Sequence, residues 1–170
     1  MKLEVTVSLK DYVRAAYFFS YTRWTLNIFR IAALLIIIAY FYIIVTPPHL
    51  PLTRDLILIP LTAAYIFIVM PFMVYVRTKR LYLAHESIQL PITYDFKETG
   101  IEISRGDEYS KLSWVEIYKV RETSNLFYFF QDKKVANLVP KRYFTDEQII
   151  ELRDLIRRSG VKSKLKSRIR

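Results

Sequence analysis

Residues 31–45 read IAALLIIIAYFYIIV and residues 56–76 read LILIPLTAAYIFIVMPFMVYV. No Asp, Glu, Lys or Arg occurs between Arg30 and Arg54, and none between Asp55 and Arg77. A helix needs roughly 20 predominantly apolar residues to cross about 30 Å of hydrocarbon. The second run meets that length alone. The first meets it when its helix starts near Thr25 or Ile28 and Arg30 stretches its guanidinium to the headgroups. Thr46-Pro47-Pro48-His49-Leu50-Pro51 separates the two, and proline, lacking a backbone donor and clashing with the preceding turn, stops a helix there. Pro60 and Pro71 sit inside the second run, where a membrane helix tolerates proline with a bend. The sequence therefore predicts a two-helix transmembrane hairpin over residues 25–81, with spans at about 25–45 and 56–76. The bland alternative is a pair of buried helices in a soluble protein, against which two nearly consecutive charge-free runs in 170 residues weigh heavily.

Basic residues near the spans set their expected orientation. Arg14, Arg23 and Arg30 flank the start of the first and Arg77, Lys79 and Arg80 the end of the second, while the connecting loop holds only Arg54. The positive-inside rule then puts both termini of a multi-pass membrane protein in the cytoplasm and the connecting loop on the outer face. Tyr21, Trp24, Tyr75 and Tyr82 suit the interfacial aromatic belts. The first run lies too far along the chain, and lacks a small-residue cleavage site, to read as a cleaved signal peptide.

Charge is unevenly divided. Residues 1–81 hold nine Lys and Arg against three Asp and Glu, and residues 82–170 hold seventeen against thirteen. The basic tail, residues 161–170, carries five cations and no acid, so the body between is near neutral. A nucleic-acid domain places its basic stripe on the folded body. Here the cations sit beside the apolar runs and on the tail, which favours anionic lipid headgroups as partner and argues against nucleic acid.

Residues 1–24 open with an alternating strand, Leu3 to Leu9, which needs a partner and is expected to find it in the C-terminal half. An aromatic-rich amphipathic helix follows, with Val13, Ala16, Tyr17, Ser20 and Trp24 on one face. It fits equally a place in the membrane interface or against the soluble domain. Residues 82–160 read as that domain. Ile92, Tyr94 and Phe96 alternate with polar residues, Glu98-Thr99-Gly100 turns, and Ile101 and Ile103 continue a hairpin. Further strands are predicted at Tyr109 to Leu112, around Tyr118 and Val120, at Leu126 to Phe130 and at Val135 to Val139. Ser113 and Glu116 have capping-box spacing for one helical turn. The closing helix is capped by Thr145 with Gln148, stopped by Gly160, and buries Ile149, Leu152, Leu155 and Ile156. The fold class is thus a membrane α-helical hairpin plus an α+β domain, a small bent antiparallel sheet or partial barrel closed by a C-terminal helix.

Several chemistries are excluded. With no Cys there is no disulfide, thiolate metal site or Cys nucleophile. Three glycines, Gly100, Gly106 and Gly160, cannot build a phosphate-binding glycine loop. His49 and His85 fall on opposite sides of the membrane in this topology and cannot share a metal. No catalytic spacing occurs, so no enzyme, no cofactor and no metal are expected. Neither charge-free run carries an intramembrane charge, the usual mark of an ion or proton pathway.

Asp11-Tyr12, Tyr94-Asp95-Phe96 with Gly100-Ile101, Tyr109-Ser110 leading to Trp114-Val115-Glu116-Ile117, and Val139-Pro140-Lys141-Arg142-Tyr143-Phe144 together resemble the YcxB-like family over nearly the whole chain. These are bacterial membrane proteins with a pleckstrin-homology-like C-terminal domain. The resemblance implies that fold and a bacterial inner membrane, and brings no established activity. Pleckstrin-homology domains that bind inositol phosphates use a basic first hairpin loop; the matching loop here, Lys97-Glu98-Thr99-Gly100, balances one cation with one acid.

The candidate contact residues for lipid or a partner are Lys141, Arg142, Lys162, Lys164, Lys166, Arg168 and Arg170. Lys141 and Arg142 could grip a phosphate or partner carboxylate, or form a structural salt bridge, the commoner fate of such pairs. The tail cations contribute about 1 kcal/mol each near an anionic leaflet. If the tail turned helical, Val161, Leu165 and Ile169 would share a side; otherwise it is a solvated tail. Trp114 reads as packing, and Glu98, Glu102, Asp107 and Glu108 as turn solvation. The expected role is a non-enzymatic, membrane-anchored interaction or scaffold protein that presents its cytoplasmic domain to a protein partner or the lipid surface. The second reading is an oligomeric transporter or envelope-stress component.

Overall fold

The computed structural model describes residues 1–22, 24–46, 54–133 and 135–166. The chain divides into two compact units, one of residues 1–11 and 85–170, the other of residues 12–84.

The helical unit is built from long apolar segments. Helix α1 runs Leu9–Thr22, α2 Trp24–Val45, α3 Arg54–Ala64 and α4 Met70–Ala84, with a π-helical turn Tyr65–Val69 joining the last two. Two stretches, Leu26–Val45 and Leu58–Ala84, are long and apolar enough to cross a membrane. The second does not stop at the end of its charge-free run but continues through Arg77, Lys79 and Arg80. Arg54, expected in the loop, is the first residue of α3, and the proline segment from Pro47 onward lies outside the described residues. Proline at 71 cannot donate to the preceding turn and crowds its carbonyls. The wider turn just before it, closed by the Met70 N–H on the Tyr65 carbonyl five residues back, lets the helix run on.

α1 lies along α4, where the Tyr17 hydroxyl donates to the Pro71 carbonyl at 3.0 Å and the Tyr12 and Tyr82 rings are 5.9 Å apart. Arg30 is accommodated within α2 by turning back towards α1. Its guanidinium lies 3.9 Å from the Tyr21 ring centre and donates to Asn27 and Ser20. Trp24 belongs to α2 rather than to the end of α1 and is exposed.

The other unit is α+β. Strand β1, Lys2–Val5, pairs with β2, Ile92–Lys97, which pairs with β3, Gly100–Arg105, and that with β4, Glu108–Ser113, all antiparallel. A second sheet orders β7, Ala136–Pro140, β6, Leu126–Phe130, β5, Lys119–Glu122, and β8, Ser163–Lys164. The strands thus form two four-stranded sheets rather than one bent sheet. The N-terminal strand has the partner its alternation requires. Between β4 and β5, Ser113 and Glu116 close a reciprocal capping box around the 3-10 turn Trp114–Glu116. Tyr118, expected on the inward row of β5, is exposed, and Ile117 is buried instead.

Both sheets and helix α5, Asp146–Arg158, share one hydrophobic core. Val5, Tyr94, Phe96 and Ile101 come from the first sheet and Val120, Phe127, Phe129 and Val139 from the second. Ile149, Leu152, Leu155 and Ile156 form the helix stripe. Trp114 is buried there too, its indole N–H donating to the Lys97 carbonyl at 2.9 Å. At Gly100, where φ is +153°, a Cβ would meet the Leu112 carbonyl oxygen at 2.3 Å, so only glycine lets β3 and β4 approach.

Gly100→Ala is therefore expected to destabilise this unit by more than Gly106→Ala, which has open space around it and pays only about 1–2 kcal/mol for its left-handed backbone. Unfolding followed by Trp114 fluorescence in a Trp24→Phe background checks the order; equal losses would contradict the close approach.

Candidate functional site

Pro140 ends β7, and the next three residues, Lys141–Tyr143, form one 3-10 turn that sends its two cations to different carboxylates. Lys141 donates to Glu122 on β5, and Arg142 to Asp11 in the first turn of α1. Arg142 and the Tyr143 hydroxyl also donate to the Thr6 carbonyl, at 2.8 and 3.2 Å. One short turn thereby ties the segment after β1 to the second sheet.

Glu122 is the centre of this network. Its side chain is fully buried, because strand alternation from Val120 puts it on the core face. A lone carboxylate there would be strongly disfavoured, and its oxygens are instead filled with donors. Arg153 gives two hydrogen bonds, Nε to Oε2 at 3.0 Å and Nη2 to Oε1 at 2.6 Å, and the Lys166 backbone N–H adds one to Oε2 at 2.9 Å. Arg153 reaches it because it stands four residues after Ile149, on the buried side of α5. Burial opposes ionisation of Glu122, but the hydrogen bonds from Arg153, Lys141 and Lys166 outweigh it and hold the carboxyl below its usual range.

Asp11 is held in a similar way. Ser8 and Asp11 cap α1 reciprocally: the Asp11 N–H donates to the Ser8 hydroxyl oxygen, and the Ser8 N–H and hydroxyl donate to the Asp11 carboxylate at 3.1 and 2.7 Å. Burial again raises its carboxyl, and the Ser8 and Arg142 hydrogen bonds bring it below the ordinary value.

Of the seven candidate cations, the structure places Lys141 and the Lys166 backbone on the same carboxylate and Arg142 on another. The Lys166 ammonium donates to the Ser124 hydroxyl at 2.7 Å, and Lys162 and Lys164 are exposed. Arg168 and Arg170 lie outside the described residues. The described part of the tail is extended, not helical. β8 pairs parallel with β5, and Val161 and Leu165 pack on the core. In the hairpin loop, Lys97 is engaged by Glu102 and Asp95.

Asp11, Glu122 and Arg153, the partners in these ion pairs, are not among the candidate contact residues read from the sequence. The signals were present in the two-residue period that carries Val120 to Glu122 and in the helical step from Ile149 to Arg153. Removing the charge at Glu122 takes away the buried carboxylate that Arg153 and Lys141 share, so Glu122→Gln is expected to cost about 3–5 kcal/mol of unfolding free energy. Both carboxyls have lowered folded-state values, so their stabilisation is complete above the unfolded value of about 4 and is lost as pH falls through the folded one. The unit should therefore weaken on acidification below about pH 4. A Glu122→Gln protein should show a shallower slope, and equal slopes would remove Glu122 from the network.

Neither the curated proteins nor the solved structures include a chain that matches this one. The family match covers less of the chain than the resemblance read from the sequence: Asp11-Tyr12 and Tyr94-Asp95 precede it. From the end of β2 to the last turn of α5, residues 96–156, with the tryptophan turn and the Lys141–Arg142 turn inside, the chain matches the family described as YcxB-like protein.

Proposed function

We propose that this chain is a non-enzymatic interaction module anchored in the cytoplasmic membrane by a helical hairpin, with both termini in the cytoplasm. Its α+β unit, read as pleckstrin-homology-like, presents a surface to a protein partner or to anionic headgroups. The observation that carries this reading is the exposure of the two long apolar helices. Phe29, Leu35, Phe41 and Ile68 are each more than 60% exposed, and the most apolar part of Leu58–Ala84 has no buried residue. A soluble monomer rarely exposes contiguous apolar surface of that extent. Arg77, Lys79 and Arg80 at the end of α4 support a cytoplasmic end for that helix. The exposed Lys162 and Lys164 suit an anionic surface, with Lys141 and Arg142 serving the fold instead. Two four-stranded sheets, antiparallel except for the short β5–β8 pairing, and a C-terminal helix on one core support the pleckstrin-homology-like reading.

The chain contains no cysteine, so single cysteines report topology cleanly. In intact cells stripped of their outer envelope, His49→Cys should react with an impermeant maleimide and Ser163→Cys should react only after permeabilisation. The opposite pattern would overturn the orientation. For the role itself, a photocrosslinking residue at Val115, 94% exposed on its turn, should capture one discrete protein or lipid adduct in living cells. Repeated absence of any adduct there and at Lys164 would argue against an interaction module.

A further inference from the structure

Between the two sheets, past the end of the shared core, lies a cleft of about 430 Å³. It is lined from the first sheet by Ile103, Arg105, Glu108 and Tyr109 and from the second by Asn137, with Gln131 beside it. Strand alternation explains the lining. Ile101, Ile103 and Arg105 are successive members of one row of β3, and the row begins in the core at Ile101. Asn137 and Val139 stand in the same relation on β7, with Val139 in the core. Each inward row thus ends in a polar side chain where a further apolar one would have closed the core.

Among the described residues, the two buried side-chain polar atoms without a hydrogen-bond partner are Arg105 Nε and Asn137 Nδ2. Both are donors, and both belong to residues lining this one cleft. A buried donor left unmade is disfavoured, and two of them on residues that line one cleft call for acceptor oxygens. The Arg105 charge is also felt within the core. Burial pushes the Tyr94 phenol up to about 12, and Arg105 pulls against that rise.

We propose that this cleft binds a small organic carboxylate, its oxygens taking the Arg105 Nε–H and an Asn137 amide hydrogen. A guanidinium edge matches the planar, two-oxygen geometry of a carboxylate. Glu108, on the same cleft, favours a ligand that also carries an ammonium or hydroxyl donor and disfavours a multiply charged anion such as phosphate. The volume lies within the range of small-molecule sites, and Ile103 and the Tyr109 ring supply apolar wall. This ligand site does not depend on the membrane reading, since every lining residue belongs to the α+β unit.

The test is a titration of the full chain in detergent with glycine, acetate and inorganic phosphate, each against sodium chloride of equal ionic strength. The Arg105 Nε–H and Asn137 side-chain amide signals are followed by nitrogen-15 NMR. Saturable shifts with glycine and acetate, stronger than with phosphate, are expected. Arg105→Gln should weaken the response at least about tenfold, the loss of one charge-assisted hydrogen bond. Asn137→Leu separates binding from folding. It removes an unpaired donor, so the melting temperature should stay at or above that of the parent while the carboxylate response falls. Shifts that merely follow ionic strength, or that survive unchanged in both variants, would mean that solvent satisfies the donors and would overturn the site. Preference for phosphate would overturn the carboxylate assignment.

Discussion

Two helices of this chain expose a nearly continuous apolar surface, and what surrounds that surface decides where the protein can reside. Phe29 and Phe41 on α2 and Ile68 and Phe72 on the second apolar stretch are each more than 60% exposed. In water such surface would drive association, since each buried Å² is favourable by roughly 25 cal/mol. In hydrocarbon it costs nothing, and the helices satisfy their own backbone polar groups. Arg30 fits the same logic, because its charge is turned onto Tyr21, Ser20 and Asn27 instead of facing outward along the helix.

The α+β unit is organised by a different constraint, a buried carboxylate that must be answered. Glu122 draws together α5 through Arg153, the 3-10 turn through Lys141 and the tail through the Lys166 backbone. Asp11 does the same for the start of α1 through Arg142. The two ion pairs use adjacent residues of one turn, so the segment after β1 and the chain's C-terminal part are anchored from a single point. Such pairs add little net stability over well-packed apolar residues, but they are costly to break singly. Their consequence is registration: each pair fixes residues far apart in the chain against one another.

Much of this was legible in the sequence. The apolar runs, the hairpin around Gly100, both capping boxes and the buried stripe of α5 all follow from local patterns, and the structure has each of them. The pairing of β1 with β2 follows from the need of an alternating strand for a neighbour. What could not be read is long-range. No local pattern says that the strands divide into two sheets, or that Lys141 and Arg142 part company to meet residues 19 and 131 positions away. The tail's five cations masked the more telling residues Val161 and Leu165, which dock it on the core as an extended segment. Arg105 and Asn137 were hidden for a similar reason. Each continues an apolar row whose inward direction is known from its neighbours, but only the two sheets together make a cleft of them.

Membrane insertion is the point at which the account is most directly open to test. Membranes from cells expressing the full chain can be washed with alkaline carbonate, which opens vesicles and strips proteins held by charge or by other proteins. A hairpin surrounded by hydrocarbon predicts that the chain stays wholly with the lipid pellet and leaves it only in detergent. Release into the carbonate supernatant would contradict it, and would mean that the exposed faces of α2 and α4 are covered by protein.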